Sequence, residues 1–143
     1  MKIFFFLLCV LALSSNLQAQ YYDYYPSSRS QYDGQARLHF VNQSSRQMEV
    51  KVMEEGDGLY ITFTVEPWGR HTCYFPQTGQ YYLKTKASLA GRDPLYKKGD
   101  YFRVYVGNDG YSEITVTYSI TESNINISSG KTISKSEFDR NDK

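Results

Sequence analysis

The stretch HTCYFPQTGQYYLKTKA, residues 71–87, constrains the fold more than any other part of the chain. Behind Gly79, the residues Tyr81, Leu83, Thr85 and Ala87 alternate with Gln80, Tyr82, Lys84 and Lys86. That period of two belongs to a strand with one buried and one wet face. A helix, turning every ~3.6 residues, would scatter both sets around its axis. Pro76 and Gly79 punctuate the turn ahead of it, proline by fixing φ and glycine by accepting positive φ. The stretch is expected to be strand, tight turn, strand.

The same pattern recurs along the chain. Leu38 and Phe40 share one face, and after Gln43-Ser44-Ser45 the chain returns through Met48, Val50 and Val52, a hairpin candidate. An acidic loop, Glu54-Glu55-Gly56-Asp57-Gly58, leads into Leu59, Ile61, Phe63 and Val65, the cleanest alternation present. Glu66-Pro67-Trp68-Gly69 then turns the chain. Residues 88–100 carry Gly91, Pro94 and Gly99 and suit a crossing between sheets, with a short edge strand at Leu95-Tyr96. Phe102, Val104 and Val106 make a further strand, and Gly107-Asn108-Asp109-Gly110 is a hairpin turn leading to Ile114, Val116, Tyr118 and Ile120. About seven strands, with turns roughly every 8 to 12 residues, predict an all-β sandwich over residues 36–121.

One portion of this pattern resembles a known family. Phe75, Pro76, Gly79, Tyr81, Leu83 and Ala87 are similar to the end of strand E and the start of strand F in fibronectin type III and immunoglobulin-like domains. The resemblance implies an immunoglobulin-like β-sandwich in which Tyr81 forms a tyrosine corner, its hydroxyl bonded to upstream backbone. The chain departs from that family in two places. Trp68 sits in a turn rather than on an early strand, and no cysteine pair is present in the domain. The resemblance implies architecture and no activity.

Both ends differ in character from the middle. Met1-Lys2, the apolar run over residues 3–13 and Leu17-Gln18-Ala19 fit a secretory signal peptide, residues 1–19, cut after Ala19. The apolar run is too short for a bilayer, which takes about 20 residues. A secreted or periplasmic protein of a bacterial cell is expected, with no membrane span in the mature chain. Residues 20–35 are rich in tyrosine and serine and poor in aliphatics, so they read as a flexible arm, either a disordered leader or a docking element. Residues 122–143 form a polar tail. Within it, Ser134 and Glu137 make a capping box and Ile133 and Phe138 a staple, so a short helix is expected at 134–140, either fraying or held by a surface.

Charge and cysteine content narrow the function. Without residues 1–19 the chain has 15 basic and 15 acidic residues. It lacks the basic stripe that nucleic acid requires, so no nucleic-acid partner is expected. Cys73 is then the sole cysteine and cannot form an intrachain disulfide. His71 and Cys73 share a strand face, which gives the alternative reading of a secreted hydrolase or thiol enzyme. No orienting acid is signalled beside them, and His39, His71 and Cys73 follow no zinc spacing. Glu54, Glu55 and Asp57, or Asn108 and Asp109, could offer oxygens to calcium but suit solvated turns equally. No catalytic residue, metal or cofactor is assigned. Alternation places Tyr60, Tyr82, Tyr101 and Tyr105 outward among Lys84, Lys86 and Arg103. These seven are the candidate ligand-binding residues of a non-catalytic module that would take a protein or a glycan. Tyrosine's strand propensity would explain the same residues without a ligand.

Overall fold

The alternating segments do become strands. A computed structural model describes residues 21–25 (backbone only), 34–120 and 130–141. Its elements in chain order are β1 (Tyr21–Tyr25), β2 (Ala36–Gln43), β3 (Gln47–Glu54), β4 (Gly58–Val65), β5 (Arg70–Phe75), β6 (Gly79–Ser88), β7 (Leu95–Lys98), β8 (Phe102–Val104), β9 (Val106–Gly107), β10 (Gly110–Ser119), β11 (Lys131–Thr132) and α1 (Lys135–Asp139). The first sheet runs β1-β10-β2-β5 with β9 on β10, and the second runs β11-β7-β6-β3-β4 with β8 on β6. β10 and β2 are parallel. Every other described pair is antiparallel.

The period of two fills the space between the sheets. Leu38 and Phe40 of β2, Cys73 and Phe75 of β5, and Ile114 and Tyr118 of β10 meet Met48, Val50 and Val52 of β3, Phe63 and Val65 of β4, and Tyr81 and Leu83 of β6. Phe63 bridges the two layers, edge-on to Phe40 at 6.1 Å and stacked on His71 at 4.2 Å. Burying each large apolar side chain is worth about 1.5–3 kcal/mol, so this one layer supplies most of the drive to fold. The chain is an all-β sandwich. Labelled A to G in chain order from β2 to β10, with β7 and β8 together as F, its sheets read D-A-G and C-B-E-F. The immunoglobulin constant order is ABED against CFG, so the architecture established is the two-sheet sandwich. Tyr81 is fully buried, and its hydroxyl lies 3.5 Å from Glu54 Oε1 on the neighbouring strand. Its ring lies over Gly79, where a Cβ would come within 2.8 Å of it, so glycine is what lets this tyrosine lie flat.

Strand pairing departs from expectation where turn signals were read as hairpins. β2 and β3 lie in different sheets, as do β5 and β6, so neither expected hairpin forms. Alternation fixes which face a strand buries but not which neighbour it takes, and consecutive strands pair only about two-thirds of the time. After β2 the Asn42 and Ser44 side chains bind the turn's own backbone in place of a hairpin ladder. The segment 88–100 is not a crossing, because β7 returns beside β6 in the same sheet. The later crossing falls at Tyr105, which splits the strand expected at 102–106 into β8 and β9. Opposite Val52 and Met53 the β4 register slips by one residue at Tyr60, a bulge, and Leu59 and Ile61 are each 38% exposed rather than buried. Some of the expected arm is also strand, since Tyr21–Tyr25 lines up with β10. The expected signal peptide, residues 20 and 26–33 of the arm, and residues 121–129 and 142–143 lie outside the described residues.

Candidate functional site

The outer face of the second sheet carries most of the expected binding residues and divides them. Tyr82 on β6 and Tyr101, just ahead of β8, meet edge to face at 5.1 Å. Lys98 Nζ lies 4.6 Å from the Tyr82 centroid and 5.9 Å from that of Tyr101. Arg103, opposite Gln80, is exposed on the same face, and Tyr101 is 46% exposed. These three come together, with Lys98 as a member that alternation alone did not assign to the site. Lys86 sits 3.9 Å from Glu49.

The other three separate from this group. Tyr60 does not point outward. Because it is the bulged residue, its ring turns to the rim of the sandwich, stacking on Phe75 at 5.2 Å while its hydroxyl donates to Tyr74 O at 2.8 Å. Tyr105 stands at the crossing between sheets, and its hydroxyl bonds Asp109. Lys84 lies on the expected face but is buried by α1, its Nζ donating to Glu137 O at 2.7 Å and Arg140 O at 2.8 Å. Burial holds its pKa below the ordinary lysine value.

A second candidate arises at the turn after β4. Gly69 N–H donates to Glu66 O at 2.9 Å, with Pro67 and Trp68 between them, and Trp68 has φ +61°. This is the type II pattern, whose third position favours glycine or asparagine. Trp68 is 70% exposed. The turn beneath it is rigid. Asn42 N–H donates to Gly69 O at 2.9 Å, while its side-chain amide donates to Glu66 O at 3.0 Å and Arg46 O at 2.7 Å. Ser44 Oγ donates to Asn42 Oδ1 at 2.7 Å and fixes that amide's orientation. Asn42 is 1% exposed. The sequence signal was present as Pro67-Trp68-Gly69. Sequence alone does not say that tryptophan, and not glycine, takes the left-handed position.

The outer face of the first sheet carries a polar ladder across β5, β2 and β10. Thr72 Oγ1 is 3.0 Å from His39 Nδ1, and His39 Nε2 is 2.8 Å from Glu113 Oε1. Arg37 lies over the Tyr111 ring at 5.3 Å. His71 and His39 project to opposite faces of this sheet, so the set His39, His71 and Cys73 does not converge. Among the described residues no three His, Cys, Asp or Glu side chains gather as for a metal. Cys73 is 3% exposed, and burial pushes its thiol up to about 11. A neutral, enclosed thiol is a poor nucleophile. No helix among the described residues is long and apolar enough to cross a membrane. Compared with known proteins, the chain matches no family model, no curated protein and no solved structure.

Proposed function

We propose that this chain is a secreted or periplasmic, non-catalytic binding module of a bacterial cell, which holds a protein or a glycan against a rigid aromatic turn. The observation that carries this reading is Trp68, a bulky residue left in a left-handed backbone with its ring in water. That conformation costs an L-residue other than glycine about 1–2 kcal/mol, and exposing a large ring yields no packing in return. Strain of this kind is characteristic of ligand contacts. The buried Asn42 amide holds the turn before any partner arrives, so little ordering entropy is lost on binding. Tyr101 and Arg103, with Tyr82 and Lys98, offer a second aromatic and cationic surface of the same kind. The targeting element of the reading rests on residues 1–19. The buried Cys73 thiol weighs against the thiol-enzyme alternative.

The test is Trp68→Asn, which keeps a residue able to hold positive φ. The variant is expected to fold with stability unchanged or raised by up to about 1 kcal/mol, and to lose capture of the partner in a pull-down and on a glycan array. A wild-type domain that retains nothing, or a variant that retains as much as the wild type, overturns the reading.

A further inference from the structure

The segment 130–141 lies on the second sheet as a peptide lies in a receptor. β11 adds a strand to the edge of β7, with Lys131 opposite Lys98 and Thr132 opposite Lys97, and Ile133 N–H donates to Tyr96 O at 3.1 Å. Two apolar anchors follow, Ile133 at 7% and Phe138 at 2% exposure. The Phe138 ring lies 5.4 Å from Tyr96, with Lys51 Nζ 4.7 Å above its centroid. The end of α1 is received by two lysines. Lys84 takes the carbonyls of Glu137 and Arg140, and Lys51 takes Phe138 O at 3.1 Å and Asn141 Oδ1 at 2.7 Å. Asn141 O in turn accepts from Leu59 N–H at 3.2 Å. Strand addition, apolar anchors and cations at a helix C-terminus are each general means of binding a peptide.

Neither Ile133 nor Phe138 belongs to the core between the sheets. The face they cover bears the lysines Lys51 and Lys84 together with the Tyr96 ring, and Met53, two residues after Lys51 on β3, is buried outside the core between the sheets. The core between the sheets does not include the segment, which sits on the outer face as a tethered ligand would.

We propose that this seat also accepts residues 130–141 of a second copy, so that the chain associates by exchange of its C-terminal segments. The occupant is the one peptide whose fit is already visible, and every copy carries it. In one chain the tether gives the segment an effective concentration of about millimolar, so exchange becomes dominant when the chain's own segment is impaired or the protein is concentrated. The proposal is independent of Trp68, which lies on the turn after β4 and is not among the segment's contacts.

Two full-length variants test it. An acceptor carries Ile133→Ala and Phe138→Ala with its seat intact, and a donor carries Lys51→Met and Lys84→Met with its segment intact. Each alone should be monomeric, and an equimolar mixture should form a heterodimer by size-exclusion chromatography with light scattering. A labelled synthetic peptide of residues 130–141 should bind the acceptor at least tenfold more tightly than it binds either the wild type or the donor. No heterodimer from two folded variants, or peptide binding without a heterodimer, overturns the exchange. Should the acceptor alone fold poorly, added peptide must raise its melting temperature, and the absence of that rescue also overturns it.

Discussion

The two outer faces of the sandwich solve the same problem differently. On the first sheet the wet side chains satisfy one another, Thr72 to His39 to Glu113 and Arg37 to Tyr111, and each remains partly exposed. On the second, Lys51 and Lys84 satisfy nothing within their own sheet in the bonds described, but reach outward to the backbone of α1. A face built of side-chain pairs is complete without a covering. Where cations reach past their own sheet to a helix end, as Lys51 and Lys84 do, the face is complete only while a peptide supplies the carbonyls. The difference teaches where a sheet surface is a finished exterior and where it is half of an interface.

Mutations that break the second face should therefore cost far more than those that break the first. Phe138→Ala removes the buried anchor of α1, a change worth about 3–5 kcal/mol when the site cannot collapse. Because the segment is docked, the loss should appear as local release, with amide-exchange protection vanishing at residues 131–140 while the denaturant midpoint of the sandwich moves less. Equal loss of protection in β2 and β10 would show that the segment is integral to the core.

Lys84→Met retains the aliphatic stem and deletes the two charged hydrogen bonds, each to a helix-end carbonyl. Bonds from a charged group contribute about 1.5–3 kcal/mol each, but methionine also removes the cost of burying the ammonium, which offsets much of that, so the same residues should lose protection more weakly than with Phe138→Ala. If Lys84→Met leaves exchange at Glu137 and Phe138 unchanged, the lysine grip contributes nothing.

Alkaline pH separates the segment from the core. Folding lowers the Lys84 pKa through burial, so between that lowered value and 10.5 the unfolded form holds more protons and docking gains as pH rises. Folding raises the Cys73 pKa from 9.0 to about 11, again through burial. Its contribution is therefore complete below pH 9 and lost as pH climbs through 11. Denaturant midpoints should fall above pH 9 in the wild type, and Cys73→Ala should flatten the onset of that fall. Tyr81, raised from 10.0 to about 12 by burial, adds a further loss above pH 10.

The smallest effect belongs to the first face. His39→Gln replaces one half-exposed member of the ladder, and exposed polar pairs of this kind are worth about 0–1 kcal/mol. A melting shift near zero is expected, and a loss of several kcal/mol would mean that this face too is half of an interface.

How much of this was legible in the sequence follows from what period two encodes. It placed β2 to β6, β8 and β10 within a few residues and named most of the core, Phe40, Val50, Phe63 and Leu83 among them. The Ser134 cap with Glu137 was likewise readable, and Glu137 N–H does donate to Ser134 Oγ at 3.1 Å. Pairing was not readable, because β2 and β3 look like a hairpin whether they share a sheet or face each other across the core. Outward placement of the candidate residues was readable for Tyr82, Tyr101 and Arg103 but not for Tyr60, Lys84 or Tyr105. Tyr60 was assigned outward because one bulged residue inverts the alternation without leaving a sequence mark. Lys84 was assigned to solvent because alternation names a face and is silent on what covers it. Trp68 was visible as a turn residue, but its left-handed backbone depends on the Asn42 amide, 26 positions earlier in the chain.

The parallel pair of β2 and β10 has a mechanical consequence. The partners run from Arg37 with Glu113 to Gln43 with Ser119. Tension applied at Ala36 and Ser119 therefore pulls the two strands past one another along their length. Every hydrogen bond between them is then loaded at once in shear, whereas a hairpin pulled from its open end would unzip bond by bond. Stretched between those two points, the domain should resist as a clamp, yielding abruptly at high force and without a gradual lengthening beforehand.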